Sequence, residues 1–375
     1  MIRRHSKNVR LLRFASAVIV IFVFFGTPFL APGLAWAGPV SVRMPIEFRT
    51  WKIEQSGVPD VRISTWSVPW ISTIALSSRS ALVISGEGLS TNLTRPDQRL
   101  DDLSEVAAQL RHEFSGLPLT WMASVAGPGT QPDVSADSRE IREWLSHPLL
   151  ATREQHLGRG IDLGSAAIWS PPLGNRGRLA FGLGVEVPGS YKVGEIADYR
   201  PGAELSASLG LEWRLTTHSS DAFLFRLTGR TFGRDEMDDD SGIREGDQLD
   251  ASLRTFHSFG SWRLNASTQA SWKGNGERSD LDLFEVRSPG WLGAADFSWI
   301  YLGAPWQAGL RAEARRFDGA RDDARYGWSA GVGPVLSAGR RLRFRAEALY
   351  LQSRWEDGNA DATGTSIRLT LGYLP

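Results

Sequence analysis

The sequence contains no cysteine, which excludes a disulfide-built secreted fold and a cysteine-based zinc site. It also lacks a charge excess, because 42 Lys and Arg balance 42 Asp and Glu. This balance argues against a nucleic-acid binder that relies on bulk positive charge. After residue 38, no apolar run is long enough to span a membrane as a helix. The 375-residue chain, with 42% hydrophobic and 22% charged residues, is nevertheless too apolar for a disordered protein.

The first 37 residues have the pattern of a secretory signal peptide. Five basic residues precede residue 14, an apolar stretch covers 14–25, and the small-residue site Ala35-Trp36-Ala37 follows. The alternative, an anchor helix that stays attached, is disfavoured because the apolar stretch is short for a membrane span. We therefore predict cleavage after Ala37, export, and a mature chain 38–375 with net negative charge.

Most of the mature chain alternates between apolar and polar residues. The clearest segments are 204–215, 262–273, 306–315 and 341–350. Strict alternation over ten or more residues is longer than a usual soluble strand, and it suits a membrane-crossing strand of about 9–11 residues. The apolar face of such a strand points to lipid and the polar face to the barrel interior. Residues 103–114 fit a helix or a strand, and their context favours the strand.

The connections between sixteen candidate strands alternate in length. Short ones lie near 77–79, 115–118, 171–177, 216–221, 259–261, 303–305 and 338–340; long ones lie near 91–102, 127–156, 188–202, 233–247, 274–289, 317–325 and 355–362. Transmembrane barrels have short periplasmic turns and long external loops, whereas a soluble sandwich has no reason to alternate in this way. We predict an all-β fold, a transmembrane antiparallel up-and-down barrel of about 14–16 strands over 38–375. An even strand count places both termini in the periplasm. Residues 38–60 could form a periplasmic segment or a plug of the lumen as an alternative to a strand of the barrel.

The tryptophans provide a geometric test of this prediction. Trp262 and Trp272 share one face and are ten residues apart. At about 3.3 Å per residue and a tilt of about 40°, they are separated by roughly 25 Å along the membrane normal, the height of the apolar band of such barrels. We predict aromatic side chains at the two membrane interfaces, namely Trp121, Trp213, Trp262, Trp272, Trp291, Trp299, Trp306 and Trp328.

The polar faces of the same strands predict a charged interior. The candidate lumen-lining residues are Arg111, Glu212, Arg214, Arg254, Arg263, Arg311, Glu313, Arg315, Arg341, Arg343, Arg345 and Glu347. They could form ion-pair ladders that brace the lumen. Alternatively, they could create a field with mild anion preference, since charged rings set pore selectivity. Arg341, Arg343 and Arg345 share one strand face and are the first place to test the second hypothesis.

Several short motifs lie between residues 100 and 215. They are Asp101-Asp102 before a strand from Leu103-Ser104 to Arg111-His112-Glu113-Phe114, Gly-Pro-Gly-Thr at 127–130, Leu-Gly-Arg-Gly-Ile-Asp-Leu-Gly at 157–164, and Tyr-Arg-Pro-Gly-Ala-Glu-Leu at 199–205. In these motifs the chain resembles the outer-membrane transporter family named for the meta-pathway of phenol degradation. The resemblance implies passage of small, often apolar molecules across the outer membrane. Residues 363–373 also resemble the C-terminal signal strand of bacterial outer-membrane barrels, which implies recognition by barrel-assembly machinery.

The sequence offers no strong enzymatic motif. It has no Gly-x-Ser-x-Gly elbow, no His-Glu-x-x-His motif and no nucleotide-binding loop. We predict a passive outer-membrane channel for small, conceivably hydrophobic solutes, with no catalytic residue, metal or cofactor. The predicted partners are outer-membrane lipid and lipopolysaccharide, export and assembly machinery, and a small-molecule solute, without nucleic acid. The alternatives are a lipid-acting barrel enzyme using His147 or His156, and a structural barrel with a closed lumen.

Overall fold

The computed structural model describes residues 40–373, apart from 56–57, 95–96, 104–105, 128–159, 194–196, 216–220, 238–239, 245, 275–289, 304, 320–325, 340–341 and 356–359. The predicted signal peptide, most of the 127–156 loop, His147 and His156 lie outside these residues. In the described part of the chain, no helix is long and apolar enough to cross a membrane. The regular structure is entirely β.

The described residues form twenty-two strands. They are β1 (Val40–Gln55), β2 (Val58–Ala75), β3 (Ser80–Thr94), β4 (Asp97–Leu103), β5 (Val106–Glu113), β6 (Leu119–Gly127), β7 (Asp162–Trp169), β8 (Pro172–Leu173), β9 (Gly177–Val187), β10 (Tyr191–Val193), β11 (Ala197–Arg200), β12 (Glu204–Arg214), β13 (Ala222–Phe232), β14 (Arg234–Met237), β15 (Asp240–Arg244), β16 (Gln248–Phe259), β17 (Trp262–Lys273), β18 (Gly290–Tyr301), β19 (Trp306–Gly319), β20 (Tyr326–Ala338), β21 (Leu342–Trp355) and β22 (Ala360–Tyr373).

Eighteen of these strands belong to one sheet, and the other four form a second sheet. The large sheet is a closed antiparallel barrel of sixteen wall strands, because β4 and β5 count as one wall strand and the two-residue β8 pairs only with the start of β9. Each wall strand pairs with its neighbours in chain order, and β1 pairs with β22 from Val42–Tyr373 to Gln55–Ala360, so no edge is left open. Closure matters because an open sheet edge would expose unpaired backbone groups to lipid. The predicted all-β up-and-down barrel of about 14–16 strands is therefore confirmed, with sixteen wall strands.

The first strand corrects one alternative from the sequence. Residues 40–55 are β1, and this strand hydrogen-bonds to β2 on one side and to β22 on the other. They are part of the barrel wall and not a plug or a separate segment. The physical reason is that sheet closure needs a partner for the last strand, and β1 provides it.

The ambiguous segment near residue 103 is a strand. β4 and β5 both pair with β3, β4 with Gly88–Thr94 and β5 with Ser80–Ser85, so together they continue one wall strand. The hairpin extensions β10–β11 and β14–β15 pair with each other through β11 and β14, and they form a separate four-stranded sheet. This small sheet joins two of the longer connections.

The two ends of the barrel differ, as predicted. The short connections, the start of β1 and the end of β22 lie at one end, which we call the turn end. An example of a short connection is the two-residue turn at Gly260-Ser261, where Gly260 has φ +59°. The longer connections lie at the other end, called the loop end. One expected length needs correction, because the predicted loop 91–102 is largely strand, with only residues 95–96 between β3 and β4. The connection between β1 and β2, for which no length was predicted, consists of residues 56–57. Continued backbone pairing extends β3 and β4 into the segment expected to be loop.

Candidate functional site: the interior of the barrel

Contacts between strands that are not neighbours identify the inner face. Arg49 on β1 lies 3.9 Å from Glu313 on β19, although β20, β21 and β22 separate these strands in the wall. Such a contact is geometrically possible only across the lumen side of a curved sheet. Because strand side chains alternate, this pair fixes which residues of each wall strand point inward.

The outer face is apolar over most of its height. Its exposed side chains include Leu183, Leu205, Leu310, Val332 and Ile367. Large exposed apolar surface is unfavourable in water, and an apolar exterior around a polar interior is the arrangement of transmembrane barrels. The alternation in the sequence thus corresponds to lipid-facing and lumen-facing positions.

The predicted interface tryptophans all lie on this outer face, near strand ends. Trp262 contacts Trp299 and Tyr301 near the turn end, with ring centroids 4.9 and 5.2 Å apart. Trp272 lies 6.3 Å from Trp291 near the loop end. Trp121, Trp213 and Trp306 are exposed near the turn end, and Trp328 is exposed near the loop end.

A network of ion pairs crosses the inner face of β1, β18, β19, β21 and β22. We call it the charged belt, and its members are Glu47, Arg49, Asp296, Arg311, Glu313, Arg345, Glu347 and Arg368. Arg311 donates to Asp296 at 2.7 Å, to Glu347 at 2.6 Å and to Glu313 at 3.2 Å. Arg368 donates to Glu47 at 2.6 Å, and Arg49 donates to Glu47 at 2.8 Å. Arg345 also donates to Glu347.

The charged belt balances four guanidinium groups with four carboxylates. Arg49 and Glu347 are almost fully buried, with 5% and 6% of their side chains exposed. A buried charge is tolerated only when it is paired and hydrogen-bonded. The belt therefore fills and braces this part of the lumen, as the ladder hypothesis expects of such charges.

The structure places the other predicted lumen residues on the inner face, but in different environments. Arg111 and Arg214 form exposed pairs with Glu113 and Glu212, at 2.6 and 3.6 Å. Arg254 and Arg263 lie on the inner faces of β16 and β17. Arg315 lies two residues beyond Glu313 on β19, on the same inner face.

The three arginines singled out for the anion hypothesis do not form the expected free row. Arg341 lies outside the described residues, Arg345 is paired with Glu347, and Arg343 also has an interaction partner. Their spacing on one face is correct for Arg343 and Arg345. The spacing of the arginines could not reveal that Glu347, two positions further along the same face, forms an ion pair with Arg345.

Toward the loop end, part of the inner face is apolar. We call this cluster the apolar core, and it consists of Trp51, Ile53, Ile63, Leu93, Phe317, Leu349, Leu351, Ala360 and Ala362. At the same level the outer face of β1, β2, β21 and β22 carries Lys52, Glu54, Arg62, Arg354 and Asp361. The usual polarity of a transmembrane barrel is inverted here.

This inversion corrects the expectation that polar side chains line the whole lumen. β1, β2, β21 and β22 have 16, 18, 14 and 14 residues, more than the roughly 9–11 that a membrane crossing needs. The outer face changes from apolar to polar just beyond Phe48 and Trp66, whose rings lie 4.5 Å apart. Beyond the apolar band the outer face meets water, so the hydrophobic effect favours apolar residues on the inside.

The opposite inner wall is lined by small and polar side chains. We call it the polar wall, formed by the inner faces of β5, β6, β7, β9, β12, β13, β16 and β17. Toward the loop end it presents Gln109, Ser124, Gly164, Gly184 and Ser206, which line a recess of about 120 Å³ together with Glu186 and Glu204. The interior is therefore asymmetric, with large apolar side chains on one wall and small or polar ones on the other.

The turn-end half of the polar wall also carries four arginines that have no carboxylate partner among the described residues; we call them the unpaired arginines. They are Arg178 on β9, Arg226 on β13, Arg254 on β16 and Arg263 on β17. None of the four forms an ion pair with a carboxylate in the part of the chain that the structure describes. Arg178, Arg226 and Arg254 are exposed to solvent.

No known protein-family profile matches the chain, and no curated protein matches it in sequence. Among solved structures, the chain is similar to the outer-membrane channel DcaP of Acinetobacter baumannii, with 8% identity, 89% of this chain and 97% of that chain covered, and a TM-score of 0.44. It is also similar to Pseudomonas aeruginosa OpdQ, with 10% identity, 89% and 97% coverage and a TM-score of 0.44. It is also similar to OccK2 of Pseudomonas aeruginosa, which was solved in complex with glucuronate. Here the identity is 12%, 91% of this chain and 99% of that chain are covered, and the TM-score is 0.41.

Two histidines lie on the outer face near the turn end. His112 Nδ1 is 2.9 Å from the Ser80 hydroxyl, and His257 Nδ1 is 2.8 Å from Asp221. Both stand beside aromatic rings, those of Phe114 and Phe259. Among the described residues, no group of three or more His, Cys, Asp or Glu side chains is arranged to hold a metal ion.

Sequence reasoning missed two central members of the charged belt, Glu47 and Arg49. Both lie in β1, the segment with the weakest strand prediction. The sequence does contain the alternation that predicts a strand with Glu47 and Arg49 on its inner face. Val42, Met44, Ile46 and Phe48 alternate with more polar positions from Arg43 to Arg49. Beyond Thr50 the polarity of the two faces is exchanged, and this exchange obscures the period.

Proposed function

We propose that this protein is an outer-membrane channel that passes small solutes passively and prefers anions. Support for the membrane location comes from the apolar outer face and its two aromatic clusters, Trp262–Trp299 and Trp272–Trp291. Their separation along the strands, roughly 25 Å after tilt, suits the apolar band of an outer-membrane barrel. The signal-peptide pattern at 1–37 agrees with export and remains a prediction, as do contacts with lipopolysaccharide and the assembly machinery.

The observation that carries the anion preference is the set of four polar-wall arginines for which the described part of the chain provides no carboxylate partner. Arg178, Arg226, Arg254 and Arg263 come from four different wall strands, all on the inner face. Uncompensated guanidinium groups in a narrow, water-filled lumen attract anions, because the low-dielectric wall focuses their field. The charged belt adds little to this field because its charges cancel.

The solute class differs from the one that the family resemblance suggested. A hydrophobic solute needs an apolar lining, whereas the polar wall offers hydroxyl, amide and charged groups. We therefore propose small polar anions as the solutes, and membership of the phenol-degradation transporter family remains a hypothesis. A structural barrel with a closed lumen is the second candidate, because the apolar core fills one side of the interior.

Ion selectivity of single channels tests the proposal. The refolded mature protein is placed in a planar bilayer under a KCl gradient, and the reversal potential gives the permeability ratio of Cl⁻ to K⁺. Changing the four arginines to Gln together should bring an anion-favouring ratio close to the ratio of free diffusion.

A matched control substitutes charges outside the lumen. Arg62→Gln, Arg316→Gln and Arg354→Gln remove three outer-face arginines of the loop end and should leave the ratio unchanged. An unchanged ratio in the inner-face quadruple variant would remove the arginines from the selectivity mechanism. Electrical silence of a folded wild-type barrel would favour the closed structural barrel.

A further inference from the structure

The two walls of the interior differ most in the half near the loop end. On the apolar core side, Ile63, Leu93 and Leu351 have at most 2% of their side chains exposed. Side chains with so little exposed surface contact other protein atoms and not water. A hydrated solute therefore has no path among these residues.

Small residues on adjacent strands explain how the core closes. The Trp51 ring lies over Gly364 on β22, where an added Cβ would approach the ring within 2.9 Å. Leu351 similarly covers Gly331 on β20, where an added Cβ would come within 2.4 Å of its Cδ2. The large side chains of β1 and β21 thus occupy the space that the glycines on β22 and β20 leave free on the inner face.

The polar wall has the opposite character at the same height. Its recess is lined by Ser124, Gly164, Gly184 and Ser206, with Gln109 beside them. These residues are only partly buried, and their hydroxyl and amide groups can replace water around a passing solute. Glycine at 164 and 184 leaves room for the Ser124 and Ser206 hydroxyls, since an added Cβ would lie 2.4 and 2.7 Å from them.

We infer that the solute route through the loop-end half is off-centre and runs along the polar wall, with Ser124 and Ser206 as specificity-determining residues. The apolar core closes the remaining cross-section and thereby limits the width of the outer mouth. This inference rests on the proposed channel function. The narrow part of the route then lies away from the charged belt, on the polar wall, which also carries the four unpaired arginines in its turn-end half.

The absence of cysteine makes substituted-cysteine accessibility a clean test, because each variant carries a single thiol. The test variants on the route are Ser124→Cys and Ser206→Cys, and those in the core are Leu93→Cys and Leu351→Cys. Each is refolded into lipid vesicles and treated with a charged, membrane-impermeant methanethiosulfonate. Leu183→Cys, on the lipid-facing side of β9 with 70% exposure, is the control for lipid shielding.

We expect the two route thiols to react rapidly and the two core thiols to react at least about tenfold more slowly, because buried groups react only through local opening. Unfolding in urea should make all five thiols reactive, which controls for reagent quality. Two core positions are used so that the result does not depend on the folding of one variant. Core thiols that react as fast as Ser206→Cys in the folded barrel would overturn the inference.

Conductance separates this inference from the proposed function. Modification of Ser206→Cys with a bulky thiosulfonate should lower single-channel conductance by about half or more, because it narrows the route. Unchanged conductance after complete modification would also overturn the inference, while the channel function would stand. If the wild type does not conduct, the channel function and the solute route fall together, and the thiol pattern then reports only which wall is packed.

Discussion

Removal of one carboxylate from the charged belt should destabilise the protein strongly. Glu347 accepts hydrogen bonds from Arg311 at 2.6 Å and from Arg345, and Arg368 lies 3.9 Å away. Only 6% of the Glu347 side chain is exposed. Glu347→Gln keeps the shape of the side chain but leaves four belt guanidinium groups facing three carboxylates. Breaking a buried pair in this way costs about 3–5 kcal/mol.

The chain offers a matched control at the turn end. Arg111 and Glu113 are also 2.6 Å apart, but about half of each side chain is exposed. Water screens this pair, so Glu113→Gln should cost less than about 1 kcal/mol. The two substitutions have the same chemistry and the same shortest pair distance. They differ in burial and in the number of neighbouring arginines, which is three at Glu347 and one at Glu113.

Urea unfolding of the refolded protein in vesicles, followed by tryptophan fluorescence, gives the two free energies. The double variant Glu347→Gln with Arg311→Gln should recover part of the loss, because it restores the charge balance, with a coupling energy of about 0.5–3 kcal/mol. Equal losses of unfolding free energy in Glu347→Gln and Glu113→Gln would refute the argument that burial decides how much these pairs stabilise the protein. A stabilising effect of Glu347→Gln alone would refute it as well.

Three further predictions concern the barrel wall and the chain start. Gly333→Ala should lower the free energy of unfolding by about 1–3 kcal/mol, because an added Cβ would lie 1.7 Å from the Ala348 carbonyl oxygen. Gly229→Ala is the control, and it should have little effect in the same urea titration because the space around Gly229 is open. Deletion of residues 40–55 should abolish the heat-modifiable band on unboiled SDS gels, because β2 and β22 would lose their shared partner; a persisting band would mean that β1 does not close the barrel. Mass spectrometry of the exported protein should find Gly38 as the first residue, and an intact N-terminus would contradict cleavage.

The barrel was predictable from the sequence because its signal is repeated along the chain. Segments such as 204–215 and 262–273 alternate without interruption, and they are β12 and β17 in the structure. The alternating lengths of the connections supplied the topology. Exact strand bounds were less predictable, since β3 and β4 continue their backbone pairing through residues that read as loop.

The interior was only partly predictable, because period 2 identifies a face but not its partners. Arg311, Glu313 and Glu347 lie on inner faces, yet their mutual contacts depend on the curvature of the sheet. The unpaired state of Arg178 and Arg226 likewise depends on which carboxylates other arginines already occupy. Such competition among neighbours is a property of the closed barrel and not of any single strand.

The apolar core and the charged belt follow from one geometric constraint. β20 and β22 carry small inner residues, among them Gly331 and Gly364, so larger side chains from β1 and β21 meet over them. Within the apolar band, where the outer face must be apolar, the residues that meet are charged and have to pair. Beyond the band, where the outer face is wet, the residues that meet are apolar and exclude water. The side of the barrel that lacks these large residues is therefore the side left for a solute.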